Sequence, residues 1–279
     1  MTAPTLPKRQ LQWRKWLLTG IMVLGLIWSI GITNANLGLF FKNFSQFTVI
    51  FTEMAHVDWS YAYYTIDPMI QTLKMAIIGT LIGSAVAFPY ALLVSRNIVT
   101  NKIVVGIFRF VLNIVRTIPD LMLAALFVAI VGIGPVAGIF ALAIFTFGMV
   151  GKLFYEAVET IDPGPLEALK AAGAGRIEMI RFAVLPQIAN YFVSFVLYAF
   201  EINVRASTVL GYMGAGGIGI YLQQALSMFR YDRVGLIVLV IFAVVLVIDY
   251  ISGKARRCFY ESLSFIAKGP CSIVGAIGY

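Results

Sequence analysis

Residues 121–151, LMLAALFVAIVGIGPVAGIFALAIFTFGMVG, contain no charged side chain over 31 positions. A membrane-spanning helix needs about 20 mostly apolar residues, so this run is too long for a single helix. The sequence Gly132-Ile133-Gly134-Pro135 in its middle has the composition of a tight turn. We therefore predict two spans that meet at this turn, the second over about Val136–Phe154.

The composition of the whole chain agrees with a membrane protein. Of its 279 residues, 60% are hydrophobic and 12% are charged, with a mean hydropathy of +0.90. Soluble domains carry about 25% charged residues, and a chain this apolar has too few polar residues to cover a soluble surface. A disordered chain is excluded as well, because such chains are poor in apolar residues. The expected fold class is an all-α polytopic membrane protein.

Further apolar segments on both sides of this run bring the predicted number of spans to about six. The first could pass for a signal peptide, but no A-x-A cleavage pattern follows it, so we expect an uncleaved helix. The third runs back from the turn and carries Arg109, Arg116 and Asp120. The predicted spans are Trp16–Thr33, Pro68–Ser95, a segment from Gly106 to the turn, Val136–Phe154, Phe182–Phe200 (starting near Pro186) and Val234–Gly253.

The distribution of positive charge predicts the orientation, because cytoplasmic loops of membrane proteins are rich in Lys and Arg. With the N-terminus inside, the inner segments hold 14 cations and the outer segments hold 4. We therefore predict that both termini are inside (N-in/C-in), and we interpret the net charge of +8 as a feature of cytoplasmic loops and not as nucleic-acid binding. The inner cations are Lys8, Arg9, Arg14, Lys15, Arg96, Lys102, Lys152, Lys170, Arg176, Arg181, Lys254, Arg256, Arg257 and Lys268; the outer ones are Lys42, Arg205, Arg230 and Arg233.

Three regions are predicted. Residues 1–67 hold an N-terminal tail, the first span and an outer amphipathic helix; residues 68–253 form the main membrane-spanning domain; residues 254–279 form a cytoplasmic tail. In the stretch 37–55, apolar residues recur every three or four positions, which is the helical period. This helix lies either in the outer membrane interface or on a partner protein. With two cysteines, both in the tail, and a single histidine, the sequence predicts neither a disulfide framework nor a multi-histidine metal site.

The segment between the fourth and fifth spans, residues 156–186, reads EAVETIDPGPLEALKAAGAGRIEMIRFAVLP. Asp162 is a good N-cap and Pro163 suits a first helical position. Leu166–Ala172 consists mostly of strong helix formers, and Gly173 can end the helix by adopting positive φ. A second short helix is predicted over Arg176–Leu185, ended by Pro186. The pattern favours a compact docking element on the cytoplasmic side over a simple amphipathic connector.

This loop resembles the EAA loop of ABC-importer permeases, whose pattern is E-A-A-x3-G-x9-I-x-L-P. Leu169 and Ala183 depart from the pattern, in each case with another small or apolar residue. The stretches Arg116–Asp120, Arg205–Gly211 and Gly214–Gly219 look like the phosphonate-permease branch of the family, and the likeness covers about residues 65–253. The residues that match the loop pattern at the same offsets are Glu167, Ala168, Gly173, Leu185 and Pro186.

The resemblance implies a type I ABC-importer permease fold and a phosphonate permease subunit in the bacterial inner membrane. It also implies a homodimer that works with a cytoplasmic ATPase dimer and a periplasmic substrate-binding protein. Permeases for phosphite, phosphate esters or methionine share this scaffold and remain alternatives. The ATPase-coupling residues so implied are Glu167, Ala168, Leu169, Ala172, Gly173, Leu185 and Pro186.

The resemblance places ATP and Mg²⁺ on the partner subunit, so this chain itself is expected to be non-catalytic and to hold no cofactor or metal. The sequence agrees, because it contains no G-x-x-x-x-G-K-[ST] motif. A secondary transporter is the main alternative of another class, but such folds are built from inverted repeats. No repeated motif relates residues 68–151 to 152–253.

Charged and kinking residues in or near spans are candidates for the translocation path, because intramembrane charges are costly and usually functional. Arg116 and Arg205 would stabilise an anionic phosphonate in low dielectric; alternatively, they pair structurally with Asp120 and Glu201. Pro119 is predicted to kink its helix.

The run Gly214–Gly219 spells G-x-G-x-x-G, but a dinucleotide site would need βαβ flanks, and the flanks here are membrane spans. These glycines instead indicate close backbone packing or an irregular loop along the path. We include Gly214, Gly216 and Gly217 among the path candidates.

Overall fold

The computed structural model describes residues 13–33, 38, 42–99 and 101–267, and within these ranges it does not describe the side chains of residues 14, 33, 258 and 260–267. The described residues contain helices and turns but no strand, which confirms the all-α prediction. Residues 1–12, 34–37, 39–41, 100 and 268–279 lie outside the described part, and so do parts of the predicted amphipathic helix and C-terminal tail.

Eleven α-helices are described in these ranges, with short 3₁₀ turns at Trp59–Tyr61 and Gly211–Met213 and a π-helical turn at Ile180–Val184. They are α1 (Trp13–Thr33), α2 (Phe44–Ala55), α3 (Ala62–Val94), α4 (Lys102–Thr117), α5 (Asp120–Val131), α6 (Pro135–Glu159), α7 (Pro163–Ala171), α8 (Arg176–Met179), α9 (Leu185–Leu210), α10 (Ile218–Ser227) and α11 (Tyr231–Ala267).

The chain divides into two compact units, Met1–Thr52 and Glu53–Tyr279. In the first unit, every described side chain of α1 is exposed, including Trp16 and Trp28. A helix with apolar residues on all sides is suited to lipid, because its backbone groups are satisfied within the helix. The predicted boundary between residues 67 and 68 stays a prediction.

The helices of the second unit are built around α3 and α6, which pack against each other from Met75 and Gly138 to Val94 and Val158. Gly79 and Gly83 of α3 allow this contact: a Cβ at Gly79 would lie 2.7 Å from Cβ of Leu142, and one at Gly83 would lie 2.7 Å from Cβ of Thr146. Small residues at helix interfaces are how membrane helices approach closely. A buried apolar cluster marks the end of this bundle that carries α7, here called the α7 end. It comprises Ala91, Val94, Leu112, Phe154, Tyr155, Val158, Val184 and Ile188.

Five of the described helices or helix runs are long and apolar enough to cross a membrane, or six if α4 and α5 count as one broken span. This agrees with the predicted number of about six. The predicted third span, however, is not one continuous helix, since α4 and α5 meet at 87°. Proline disfavours the α conformation of the residue before it, and Ile118 is accordingly extended (φ −77°, ψ 122°). The carbonyl of Pro119 then accepts hydrogen bonds from Met122 and Leu123, which starts α5.

A second correction concerns Pro186, which was predicted to end a short helix. Instead α8, the π-helical turn and α9 follow one another without interruption, and Pro186 lies in the first turn of α9. The ring of a proline inside an α-helix clashes with the carbonyl four residues earlier. The wider π-helical turn, in which Leu185 N–H donates to the carbonyl of Ile180, accommodates the proline without breaking the helix.

Candidate functional site

The short helix α7 is fixed at both ends as the sequence predicts. At its start, the Asp162 carboxylate accepts a hydrogen bond from Gly164 N–H (3.0 Å). At its end, Ala174 N–H donates to the Leu169 carbonyl (3.0 Å), and Gly173 N–H donates to the Lys170 carbonyl (3.1 Å). These two hydrogen bonds are the pattern of a Schellman motif. Gly173 has φ +81°, the conformation that this ending requires.

The exposure of its side chains indicates which face of α7 is available to a partner. Glu167, Ala168, Ala172 and Gly173 are exposed, whereas Leu166 and Leu169 are half-buried. Leu166 packs against the cluster at the α7 end. Leu169 therefore occupies an inward position where an apolar side chain is favourable, and its departure from the loop pattern leaves the outward face small and polar.

Two polar connections join this loop to the long helices. The first leads to α9: Asp162 N–H donates to the side-chain carbonyl of Gln187 (3.0 Å), whose amide donates in turn to the Ala183 carbonyl (2.9 Å). Ala183, the other departure from the pattern, is fully buried. Of the remaining coupling candidates, Leu185 is half-buried and Pro186 is exposed.

The second connection is a polar cluster of Arg96, Arg109 and Glu159. The Arg109 guanidinium pairs with the Glu159 carboxylate at the end of α6 and also donates to the Val94 carbonyl (3.3 Å). Glu159 accepts a further hydrogen bond from Arg96 N–H (2.8 Å). The cluster thus ties the last turn of α6, just before α7, to the connection between α3 and α4.

Sequence reasoning missed this cluster. It placed Arg109 on one face of a span and Glu159 in a loop, and no periodicity relates residues 50 positions apart. The only available signal was the presence of opposite charges near the predicted ends of neighbouring spans.

Near the break between α4 and α5, Arg116 is exposed. Its side chain passes close to Gly148 of α6, where an added Cβ would lie 2.9 Å from Cγ of Arg116. Among the described residues, Arg116 makes no ion pair; the Asp120 carboxylate instead accepts from Leu121 N–H (2.9 Å) at the start of α5. A carboxylate is favourable at a helix N-terminus. In the structure, therefore, Asp120 does not pair with Arg116.

Glu201 and Arg205 pair one helical turn apart, as the alternative interpretation expected. Glu201 also accepts from Arg256 of α11 (3.0 Å), so this carboxylate, only 13% exposed, has two guanidinium partners. The Arg205 side chain remains 50% exposed. Arg256 had been counted among the cations of the inner tail, but here it joins α11 to α9.

The glycine loop, residues 211–217, is packed between α3 and α6. Gly217 N–H donates to the Gln71 side chain (3.1 Å), and Gly134 N–H donates to the Gly214 carbonyl (3.0 Å). Gly214, Gly216 and Gly217 all have positive φ, and a Cβ at Gly216 would lie 2.9 Å from the backbone of Pro135. Gly216 and Gly217 are buried. Close backbone packing, one of the two predicted reasons for these glycines, is confirmed; a role in the path stays a prediction.

A further buried group escaped the sequence analysis because it carries no charge. The Asn203 amide of α9 donates to the hydroxyls of Thr80 in α3 (2.7 Å) and Thr146 in α6 (2.6 Å), and all three side chains are buried. Polar residues inside spans usually face neighbouring helices. The available signal was an asparagine three residues beyond the predicted fifth span, Phe182–Phe200.

Comparison with known proteins agrees with this geometry. The model of the family described as "Binding-protein-dependent transport system inner membrane component" matches residues 79–254. The phosphite transport system permease protein PtxC of Stutzerimonas stutzeri is 38% identical over 240 residues, which are 86% of each chain. The putative cryptic phosphonate transport system permease protein PhnE2 of Escherichia coli K12 is 43% identical over 119 residues, 43% of this chain and 98% of its own.

Among solved structures, the MetNI methionine ABC transporter in inward-facing conformations matches with a TM-score of 0.63. The likeness covers 73% of this chain and 99% of that one, at 22% sequence identity. At this identity the likeness concerns the fold alone.

Proposed function

Since the chain belongs to the binding-protein-dependent transport system inner membrane component family and is thus a permease subunit of an ABC importer, we propose that it imports phosphonates, driven by a separate ATPase that acts through α7. One observation carries the coupling part of this proposal. Helix α7 is capped at both ends and presents the exposed residues Glu167, Ala168 and Ala172 next to a turn at Gly173. A short rigid helix with small outward side chains is suited to lie in a groove of a partner.

The two polar connections of the loop provide the route by which movement would reach the spans. The hydrogen bond between Asp162 and Gln187 joins α7 to α9. The ion pair between Arg109 and Glu159 joins the end of α6 to α4. A tilt of α7 on closure of the ATPase dimer would thus displace α6 and α9 together, and these two helices share the buried contact at Asn203 with α3. ATP and Mg²⁺ would be bound by the ATPase, and this chain would supply only the mechanical link.

The proposed arrangement in the membrane follows from the position of α7. The α7 end faces the cytoplasm, both termini lie inside, and the membrane is the bacterial inner membrane. A periplasmic binding protein delivers substrate at the opposite face, and a second copy of this chain completes the pathway. The excess of cations in the segments on the α7 side supports this orientation.

The substrate assignment rests on the relatives and on charge. A phosphonate and phosphite are both small phosphorus oxyanions, and the two relatives described above are named for these substrates. Arg116, exposed and without an ion pair in the described part of the chain, is the proposed attracting cation, with Asp120, Pro119, Glu201 and the half-exposed Arg205 as further path residues. Phosphite is the second candidate substrate, because the phosphite permease relative matches most of the chain.

The test is growth of a strain that lacks this chain and other importers of phosphorus oxyanions, with and without the chain restored. Methylphosphonate, phosphite or inorganic phosphate is given as the sole phosphorus source. Growth on methylphosphonate that depends on the restored chain would support the proposal; dependence on phosphite alone would move the substrate to phosphite. Absence of growth on both methylphosphonate and phosphite after the chain is restored would overturn the substrate assignment.

An Arg116→Gln variant tests the path proposal within the same assay. We expect uptake of the anion to fall, because the substitution removes the unpaired cation while keeping a side chain of similar length. A matched Arg257→Gln variant, which removes an exposed cation of α11, should grow like the wild type. Equal growth of both variants would remove Arg116 from the path.

A further inference from the structure

A cavity at the α7 end has no role in the function proposed above. Its volume is about 520 Å³, and it lies where the connection after α3 meets the first two turns of α4. It is lined by Arg96, Val99, Lys102, Val105, Gly106 and Arg109. Its volume lies within the range of about 300–1,000 Å³ that is typical of ligand pockets.

The charges around this cavity are unbalanced. Three of its six lining residues are cations and none is a carboxylate. Arg109 is neutralised by Glu159, but among the described residues the side chains of Arg96 and Lys102 make no ion pair. The cavity also lies at the N-terminus of the 16-residue helix α4, whose dipole adds positive potential. Such a concave basic surface attracts anions.

The lining is mixed as well as basic. Val99, Val105 and Gly106 place apolar surface between the cations. A Cβ added to Gly106 would meet no atom within 4 Å, so the space next to it is open. An anion with a hydrocarbon part suits such a lining, and basic pockets between spans on the cytoplasmic side are typical sites of lipid head groups.

We propose that this cavity binds a phosphate group, supplied either by the head group of an anionic phospholipid or by free inorganic phosphate. The orientation of the cavity toward the cytoplasm rests on the function proposed above. The phosphate is held by Arg96 and Lys102, and it competes with Glu159 for Arg109.

Binding at this site would reach the coupling loop. Glu159, the partner of Arg109, lines a second cavity of about 590 Å³ together with Pro163, Leu166 and Glu167 of α7. The ion pair of Arg109 and Glu159 thus stands between the two cavities. A phosphate that draws Arg109 away weakens the hold on the last turn of α6, so the site would adjust how firmly α7 is attached.

The experiment measures binding to the full transporter in nanodiscs, with no transport step. One arm compares discs of phosphatidylcholine alone with discs that also contain phosphatidylglycerol, and counts retained phosphatidylglycerol by native mass spectrometry. The other arm titrates inorganic phosphate into phosphatidylcholine discs and follows thermal unfolding. The test variant is Arg96→Gln with Lys102→Gln. The control is Lys254→Gln with Arg257→Gln, which removes two exposed cations that do not line the cavity.

We expect the test variant to bind its phosphate source about tenfold more weakly than the wild type, a change of about 1.4 kcal/mol, and the control variant to bind like the wild type. Weaker binding of phosphatidylglycerol by the test variant identifies the lipid head group as the phosphate source. Weaker binding of inorganic phosphate identifies the free anion. Gly106→Leu, which keeps every charge and fills the cavity, should weaken the same arm. The proposal is overturned if the test variant and Gly106→Leu both bind phosphatidylglycerol and inorganic phosphate as tightly as the wild type does. Because no substrate is present, a wrong substrate assignment would leave these results unchanged.

Discussion

Two glycine-containing turns of this protein, one at the end of α7 and one in the glycine loop, use glycine for different physical reasons. Gly173 has φ +81°, and a Cβ there would meet nothing within 4 Å. Gly216 has φ +89°, and a Cβ there would also lie 2.9 Å from Pro135. The first position requires only a backbone conformation, whereas the second requires that conformation and empty space.

The difference follows from how each region is held. Helix α7 is mostly exposed and is tied to the spans near its start, by the hydrogen bond between Asp162 and Gln187 and by the packing of Leu166. In the glycine loop, Gly216 and Gly217 are buried, and their backbone packs directly against Pro135 and Thr72. Attachment at a few points suits the movement of α7 that we propose, whereas close backbone packing at Gly216 and Gly217 suits a fixed contact between the helices.

The largest effect is expected from Gly216→Ala. The left-handed conformation costs about 1–2 kcal/mol for a residue with a Cβ, and the contact with Pro135 adds about 1–3 kcal/mol for overpacking. We expect a clear fall in the unfolding temperature of the purified transporter and less folded protein in the membrane, measured by fluorescence-detected size-exclusion chromatography.

The matched control for this variant is Gly214→Ala. Gly214 is left-handed (φ +86°, ψ 10°), and an added Cβ would lie no closer than 3.6 Å to a neighbouring atom, so only the conformational cost applies. A loss of stability equal to that of Gly216→Ala would mean that the loop yields around Pro135 and would break the distinction between the two kinds of glycine.

Gly173→Val tests the other side of the comparison. Valine at φ +81° costs about 1–2 kcal/mol, but the open surroundings allow α7 to lose its last turn without disturbing the spans. We expect normal amounts of folded protein, near-complete loss of uptake, and ATP hydrolysis that no longer responds to the binding protein. Gly175→Ala, at φ −73° with only the Glu178 side chain nearby, should keep all three properties. Uptake at the wild-type level by Gly173→Val would refute the role of this turn in coupling.

The features that could be predicted from sequence are those set by local chemistry. Apolar run length gave the spans, and the all-α class and the type I importer-permease fold are confirmed. The capping pattern from Asp162 to Gly173 gave both ends of α7. These depend on residues close together in the chain, whose preferences act without tertiary contacts.

The features that were missed depend on contacts between distant segments or on competition between local rules. Pro186 does not end a helix, because the π-helical turn before it removes the clash. Pro119 does not merely kink a span but divides it into two helices. The pairs Arg109–Glu159 and Glu201–Arg256 join residues about 50 positions apart, and no sequence period reports them.

The smallest of the three effects is expected from Arg109→Gln, which cuts one of the few attachments at the α7 end. The side chains of Arg109 and Glu159 are 20% and 24% exposed, so solvent screening limits the loss to about 1 kcal/mol. That energy corresponds to about a fivefold change in a conformational equilibrium, and we expect stimulation of ATP hydrolysis by the binding protein to weaken by a factor of this size.

Lys152→Gln is the control for Arg109→Gln. It removes the more exposed pair of Lys152 and Glu156 (3.2 Å) on α6, worth about 0.3–0.5 kcal/mol, and should change the stimulation of ATP hydrolysis little. If the two variants behave alike, α7 is not held through the last turn of α6, and the hydrogen bond between Asp162 and Gln187 is left as the route to the spans.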